Sequence, residues 1–397
     1  MQWSISQRPH TLEYVYGCDT VKKYYYNLVK SKKEFPTAVL LEGQYGSGKT
    51  TIAKIISQMM VCQSPKENGD PCCECLSCKS IIDETFNRDV MMIDGGVGGK
   101  IDTVRDTVTK FIATPPMRDR KKILIIEEFQ EWSKDAVNAM LKILESPKKN
   151  IHFIFTAMKD MPASGIKSRC QTFKFKPANF QDIMLYLKSQ MENIKYKDTN
   201  ASLWDTPDIP KEFKLYGLKY IADSADGSYR AAIQYLEQCI DSEIYKVDLT
   251  SDEAKNAELI INNMKQNFGF SNSEDITNML VDISNGNVTE TLFNSLTTGD
   301  YEKDFRLGYK IISDCACYKA FRKIPGENQW LTNQTLRVLN TKHFDYLQET
   351  FETIMNMCSS YFNKNLYILE MCKLVQKCKE IDSDTKILSE RRTVRRV

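Results

Sequence analysis

The octapeptide Gly43-Gln44-Tyr45-Gly46-Ser47-Gly48-Lys49-Thr50 stands between a short apolar run, Ala38-Val39-Leu40-Leu41, and a segment in which Ile52, Ile55, Ile56, Met59 and Met60 recur at spacings of three and four. The run reads as a buried strand, and the recurrence as a helix over 49–60 with one face turned inward. A loop of the form GxxxxGK[ST] at a strand-to-helix junction leaves few folds open. Its glycines let backbone N–H groups wrap phosphates, and the helix N-terminus adds the positive end of a dipole. Lys49 is placed for the β- and γ-phosphates and the Thr50 hydroxyl for Mg2+. Gly43, Gly46, Ser47, Gly48, Lys49, Thr50 and Thr51 therefore form the expected cradle for a nucleoside triphosphate. The plain alternative, a flexible glycine turn, leaves the strand-to-helix placement unexplained.

Further apolar runs at Val90–Ile93, Ile123–Ile126, Ile151–Phe155 and Thr172–Phe175 alternate with helical patterns at Ile101–Ile112 and Asp135–Leu144. Strands separated by helices of this length pair in parallel through right-handed crossovers, which gives an α/β, doubly wound domain over residues 1–177. From Phe180 the strand pattern stops. Ile183–Ile194, Pro210–Ala225 and Ser228–Ile240 read as three amphipathic helices of a small domain at 178–241. Residues 242–380 read as a further all-α domain, with turn signals at Ser271-Asn272-Ser273, Asn285-Gly286-Asn287 and Pro325-Gly326-Glu327. Residues 381–397, ending Arg391-Arg392-Thr393-Val394-Arg395-Arg396-Val397, read as a mobile basic tail. A chain of 397 residues is too long for one core, and three domains suit that length.

A P-loop NTPase needs a second strand ending in acids, and Ile123-Leu124-Ile125-Ile126-Glu127-Glu128 supplies it. Glu128 is expected to polarise the attacking water. Glu127, where Asp is usual, is one methylene longer and is expected to reach Mg2+ through a water. Cys62, Cys72, Cys75 and Cys78 follow as C-x9-C-x2-C-x2-C, with Cys73 beside them. Two successive C-x2-C steps bring thiolates round a tetrahedral centre, so a closed, structural zinc site at 62–78 is expected, with Cys72 or Cys73 as its second ligand. The thirteen cysteines accompany no export signal, which favours a metal site over a disulfide framework. No run of about 20 apolar residues occurs, so a cytoplasmic protein without membrane contact is expected. Lys plus Arg number 54 against 52 acidic residues, which excludes a polyanion-coating protein and leaves nucleic-acid contact to a local patch.

Two arginines complete the set. Arg169, in Ser168-Arg169-Cys170 just after the fourth strand, stands where an arginine can reach a neighbouring subunit's γ-phosphate. Arg230, in Gly227-Ser228-Tyr229-Arg230 at a helix start, can approach the phosphates of its own chain. Each, taken alone, is equally an ordinary surface or helix-start arginine.

In this order, the motifs resemble the gamma/tau subunit of the bacterial or phage DNA polymerase clamp loader, an AAA+ ATPase. The likeness runs over roughly residues 5–240. It begins at Arg8-Pro9 and Val15-Tyr16-Gly17, similar to that family's adenine-pocket segment, and also includes Asn138-Ala139-Met140-Leu141-Lys142. It implies an AAA+ domain with a zinc insertion, a three-helix lid and an all-α collar. It also implies that the triphosphate is ATP, and that the chain is an ATPase in a pentameric ring with other clamp-loader subunits, which opens a sliding clamp and loads it on primer–template DNA. Arg169 would then act in trans and Arg230 in cis, while Lys100 and Arg105 would sit where DNA backbone contacts are made. Three departures stand out. Glu127 replaces Asp, Thr156 alone remains where a pair of sensing threonines is expected, and Ser146 replaces the second acid of Leu-Glu-Glu-Pro. Two other readings stay open, a delta prime-like structural subunit that does not hydrolyse ATP and an AAA+ motor for another DNA task.

Overall fold

The computed structural model describes residues 2–119, 121–146, 148–158, 164–197, 199–248, 250–268, 273–285, 301–322, 335–357 and 364–394. The chain forms two compact units, Met1–Glu243 and Ile244–Val397.

The first unit begins with α1 (Trp3–Ser6) and α2 (Asp19–Lys30), then β1 (Ala38–Gly43), α3 (Lys49–Val61), α4 (Leu76–Ile82) and β2 (Val90–Asp94). There follow α5 (Gly95–Gly98), α6 (Ile101–Thr103), a π turn at Val104–Val108, α7 (Thr109–Ala113), β3 (Lys122–Glu127), α8 (Lys134–Glu145), β4 (Ile151–Ala157), α9 (Ser164–Lys167) and β5 (Gln171–Phe175). The five strands pair in parallel in the order β2-β3-β4-β1-β5. Successive side chains of a strand point to opposite faces, and the core follows that rule. Leu40, Leu124, Ile126, Phe153 and Phe155 pack on one face with Val104 and Val108 of the π turn, Phe111 of α7 and Met140 of α8. Val39, Leu41, Ile123, Ile125, Ile154 and Phe173 pack on the other with Tyr25 of α2 and Ile52, Ile55 and Ile56 of α3. With both faces covered, the sheet reads as continuous apolar runs rather than alternation.

The helical pattern expected at Ile101–Ile112 is one helical run widened by the π turn. An extra residue in that turn keeps Val104 and Val108 both buried, and the Thr109 hydroxyl donates to the Val104 carbonyl at 2.9 Å. Beyond β5 come α10 (Phe180–Asn193), a second π turn at Phe213–Gly217, α11 (Leu218–Ser224) and α12 (Tyr229–Asp241). Asn179 and Ser228 cap α10 and α12, each side chain accepting a backbone N–H of the first turn. Ile183, Leu187 and Met191 of α10 are buried, as are Leu218 and Ile221 of α11 and Ile233 and Leu236 of α12.

The second unit carries α13 (Glu253–Phe268), α14 (Ser273–Ser284), α15 (Tyr301–Phe321), α16 (Phe344–Met357) and α17 (Lys364–Val394). Its core draws Ile276, Leu280, Phe305, Ile312, Leu347, Phe351, Tyr367 and Met371 into one cluster. The expected tail at 381–397 is corrected in part, because the backbone of α17 stays helical to Val394. Of the turn signal Ser271-Asn272-Ser273, Ser273 begins α14 and the other two residues lie outside the described set. Gly286-Asn287 and Pro325-Gly326-Glu327 lie outside it as well. Among the described residues, no helix is long and apolar enough to cross a membrane.

Candidate nucleotide and metal sites

The loop between β1 and α3 turns through Gly46 at φ 74° and Gly48 at φ 90°, left-handed conformations that glycine adopts without a Cβ penalty. These turns aim the N-terminus of α3 into a cleft. The cleft is lined by Arg8, Pro9, Val15, Gly46, Ser47, Gly48, Lys49, Thr50, Thr51, Glu128 and Arg230. Of the residues expected to hold nucleotide, Gly43 and Glu127 are absent from that wall. Gly43 lies beneath the loop, where its carbonyl accepts from Lys49 Nζ at 2.9 Å, and Gln44 accepts a second bond at 3.0 Å. Burial pushes the Lys49 ammonium below its usual pKa, while the nearby Glu128 carboxylate pulls it back up. The buried ammonium is thus folded onto the carbonyls of its own loop. The buried Ser47 hydroxyl has no hydrogen-bond partner among the described residues, as suits a cradle shaped for a polar ligand.

Glu127 ends β3 in register with Asp94 at the end of β2. It lines an adjoining cleft with Thr50, Arg8, Lys54, Asp94 and Arg230. Its Oε1 is buried and, among the described residues, without a hydrogen-bond partner. Together with the Thr50 hydroxyl it offers the oxygen chemistry that Mg2+ takes. Glu128 adopts φ 45°. That left-handed backbone is costly for a residue with a Cβ. Its N–H donates to the hydroxyl of the buried Thr156 at 3.3 Å, and its carboxylate accepts from Gln130 at 2.6 Å. Thr156, read from sequence as the remaining sensor, here supports the backbone of Glu128 from the end of β4.

Helix α12 closes the cleft from above. The Tyr229 N–H donates to the Gly46 carbonyl at 3.1 Å. The Arg230 guanidinium lies 4.5 Å from the centroid of the Tyr45 ring and donates to the Tyr45 hydroxyl. Arg169 lies apart from both clefts. It pairs with Glu145 at the end of α8 at 2.7 Å and donates to the Gly165 carbonyl at 2.9 Å. On the same short segment, Lys167 forms a 2.6 Å ion pair with the buried Glu42 of β1. Lys100 precedes α6 without a side-chain capping bond and Arg105 sits in the π turn, both exposed.

Sequence reasoning named the segments of Tyr16 and Tyr229 but missed the wall they form with Tyr14 and Tyr186. Tyr14, Tyr16, Tyr186, Tyr229 and Ile233 also line the nucleotide cleft. The rings of Tyr16 and Tyr186 are 5.9 Å apart, and those of Tyr186 and Tyr229 5.3 Å. Tyr186 lies on the inward face of α10 with Ile183 and Leu187, so its spacing signals only burial.

The thiols of Cys62, Cys72, Cys75 and Cys78 lie within 4.8 Å of one another. Cys62 caps the end of α3, and Cys75 begins α4, whose first turn carries Cys78. The Cys62–Cys72 and Cys72–Cys78 sulfur separations are 3.5 and 4.0 Å. Tetrahedral zinc with bonds of about 2.3 Å sets its sulfurs about 3.8 Å apart, so the donor set fits. Burial raises the Cys72 thiol, but N–H groups of Cys75 and Glu74 and the neighbouring thiols bring it down to about 6. Cys73 faces elsewhere, at φ 62° with its sulfur 3.6 Å from the His10 and Pro71 carbonyls. The loop between Cys62 and Cys72 also carries Asp70, fully buried, which accepts the Leu12 N–H at 3.0 Å and the Tyr26 hydroxyl at 3.1 Å.

A family described as DNA polymerase III, delta subunit, matches residues 19–179. The chain is 32% identical over 245 residues to DNA polymerase III subunit tau of Bacillus subtilis, covering 61% of this chain and 40% of that one. It is 34% identical over 204 residues to DNA polymerase III subunit gamma of Buchnera aphidicola, covering 51% of this chain and 52% of that one. It is 30% identical over 207 residues to the Escherichia coli tau subunit, covering 52% and 29%. The chain thus spans about half or less of the length of these curated relatives. Among solved structures, the Thermotoga maritima RuvB Holliday junction branch migration motor aligns over 88% of this chain and 90% of its own at 14% identity and TM-score 0.42.

Proposed function

We propose that this chain, similar over 51–61% of its length to gamma and tau subunits of DNA polymerase III, is an ATP-driven motor subunit of a sliding-clamp loader. In this reading it binds ATP and hydrolyses it within a pentameric ring, opens the clamp and loads it on primer–template DNA. The observation that carries the reading is the convergence of Lys49, Thr50, Glu128 and Arg230 on one cleft beneath the α12 lid.

The roles follow from position. Backbone N–H groups of the loop at Gly46–Thr50, at the N-terminus of α3, hold the phosphates, and Lys49 leaves the carbonyls of Gly43 and Gln44 to meet the β- and γ-oxygens. The Thr50 hydroxyl, and Glu127 through a water, would hold Mg2+, which would supply charge neutralisation at the phosphates. Glu128 takes the proton of the attacking water, its backbone fixed by Thr156. Arg230 stabilises the developing charge from its own chain. Arg169, which points away from its own cleft, does so for the next subunit, and a group of that kind is worth roughly 10³–10⁵ in rate. Pro9, Val15, Tyr16 and Tyr186 bound the adenine end, and Arg8 the phosphate side. Zinc on Cys62, Cys72, Cys75 and Cys78 is structural, since four thiolates leave no open position. Exposed Lys100 and Arg105 contact the DNA backbone.

A second reading, a subunit of the same assembly that binds nucleotide without hydrolysing it, is favoured by two observations. One is the match to a delta-subunit family, and the other is Glu127 in place of Asp, with its Oε1 unpartnered among the described residues. ATP turnover measured with and without clamp and primed DNA decides between the two readings. Turnover that rises with both present and is abolished in Lys49→Ala is the expected result. No turnover under any condition sinks the motor reading, and wild-type rates in Lys49→Ala refute the role of Lys49.

A further inference from the structure

Tyr45 occupies a position that the phosphate-loop pattern leaves open, yet it is the residue the lid seizes. Tyr45 is 55% exposed, so burial in the core does not hold its side chain. What it has is a partner 185 residues further along, the guanidinium of Arg230, stacked over its face and hydrogen-bonded to its hydroxyl. Arg230 and Lys49 both line the nucleotide cleft. Two cations sharing a cleft repel, and the one nearer solvent, Arg230, has the freedom to swing away. The negative face of an aromatic ring and a phenol oxygen offset that repulsion without adding a net charge that would compete with phosphate.

We infer that Tyr45 is a positioning residue, a keeper that holds Arg230 at the triphosphate end of the cleft before nucleotide enters. This inference rests on the nucleotide-binding reading above. The lid is attached beside it through the Tyr229 N–H on the Gly46 carbonyl, so the ring acts on the aim of one side chain and not on lid closure as such. Its ligand consequence is specific. A guanidinium aimed in advance favours the nucleotide that carries a γ-phosphate, because a protein whose competent state is only partly populated binds more weakly by that fraction. Tyr45 itself lines the cleft, and through Arg230 it contributes to the preference for a triphosphate over a diphosphate.

The test is calorimetric titration of the full chain with a non-hydrolysable ATP analogue and with ADP, both with Mg2+. The ratio of the two affinities should fall roughly threefold to tenfold in Tyr45→Ala, the range of one exposed cation–π contact with its hydrogen bond. Tyr45→Phe, which keeps the ring, should fall less, and Tyr45→Ala should change nothing further in an Arg230→Ala background. Equal weakening of both nucleotides would mean that Tyr45 contacts the nucleotide or merely supports the loop, and this overturns the inference. So does a Tyr45→Ala effect that persists without Arg230, or an unchanged ratio in both Tyr45 variants. A wild-type chain that binds neither nucleotide overturns the nucleotide-binding reading itself.

Discussion

Replacing Gly46 by alanine should separate the lid from the phosphate loop, and the structure sets the size of the effect. Gly46 has φ 74°, and a Cβ built there overlaps Ser228 Oγ at the start of α12. The left-handed backbone costs a residue with a Cβ about 1–2 kcal/mol. Forcing a methyl group into an occupied space costs about 1–3 kcal/mol more. The two contributions respond to different second changes. Ser228→Gly removes the overlapping atoms and, as glycine is tolerated at a helix cap, sacrifices only a few tenths of a kcal/mol. Denaturant unfolding of the nucleotide-free chain should therefore show Gly46→Ala destabilised by about 2–5 kcal/mol, and Gly46→Ala/Ser228→Gly restored to within about 1–2 kcal/mol of the parent. A Gly46→Ala protein within about 0.5 kcal/mol of wild type, the range of an inconsequential surface change, refutes the contact. Equal destabilisation with and without Ser228→Gly would leave the backbone strain but remove the lid contact from the explanation.

Metal analysis of the purified protein should find about one zinc per chain. Cys72→Ser should lose it and Cys73→Ser should keep it, and the reverse pattern would reassign the ligand. Acid should weaken the fold through His152, whose Nδ1 lies 2.9 Å from the Pro36 carbonyl. Burial lowers its pKa from the ordinary 6.5. The unfolded chain then binds the proton more readily, so this stability is present above about pH 6.5 and is lost as pH falls below it. His152→Gln should flatten the slope of unfolding free energy between about pH 7.5 and 5.5, and an unchanged slope would remove His152 as its source. Arg169→Ala should leave ATP affinity of the isolated chain unchanged and lower turnover of the assembled ring by orders of magnitude. An equal loss in the isolated chain would move Arg169 into its own site.

The phosphate-type loop and the four-cysteine cluster were legible because each is local. Gly43–Thr50 and the cysteine spacing carry their geometry within a few residues, and a strand or helix on either side is enough to orient them. Burial on both faces of the sheet likewise wrote β1, β3 and β4 as plain apolar runs. What the sequence hid are relations between distant residues. Tyr186 looks like any inward residue of α10, and only the packing of α10 against the N-terminal segment turns its ring toward Tyr16. The choice between Cys72 and Cys73 depended on one left-handed φ at Cys73. The π turns escaped because they keep helical spacing on average, and the basic composition of 381–394 suggested a tail where the backbone is helical.

The loop enclosed by Cys62 and Cys72 has a consequence for how the nucleotide cleft is assembled. Through Asp70 it grips Leu12, within the stretch between Pro9 and Val15 that bounds the adenine end, and it grips Tyr26 of α2 as well. The four thiols and the side of the cleft lined by Pro9 and Val15 are therefore two ends of one short splint. In the proposed function, a chain that loses the thiol cluster would keep its loop at Gly43–Thr50 and the acids Glu127 and Glu128, but the wall around Pro9 and Val15 would slacken. Loss of selectivity among nucleotides would then precede loss of phosphate binding.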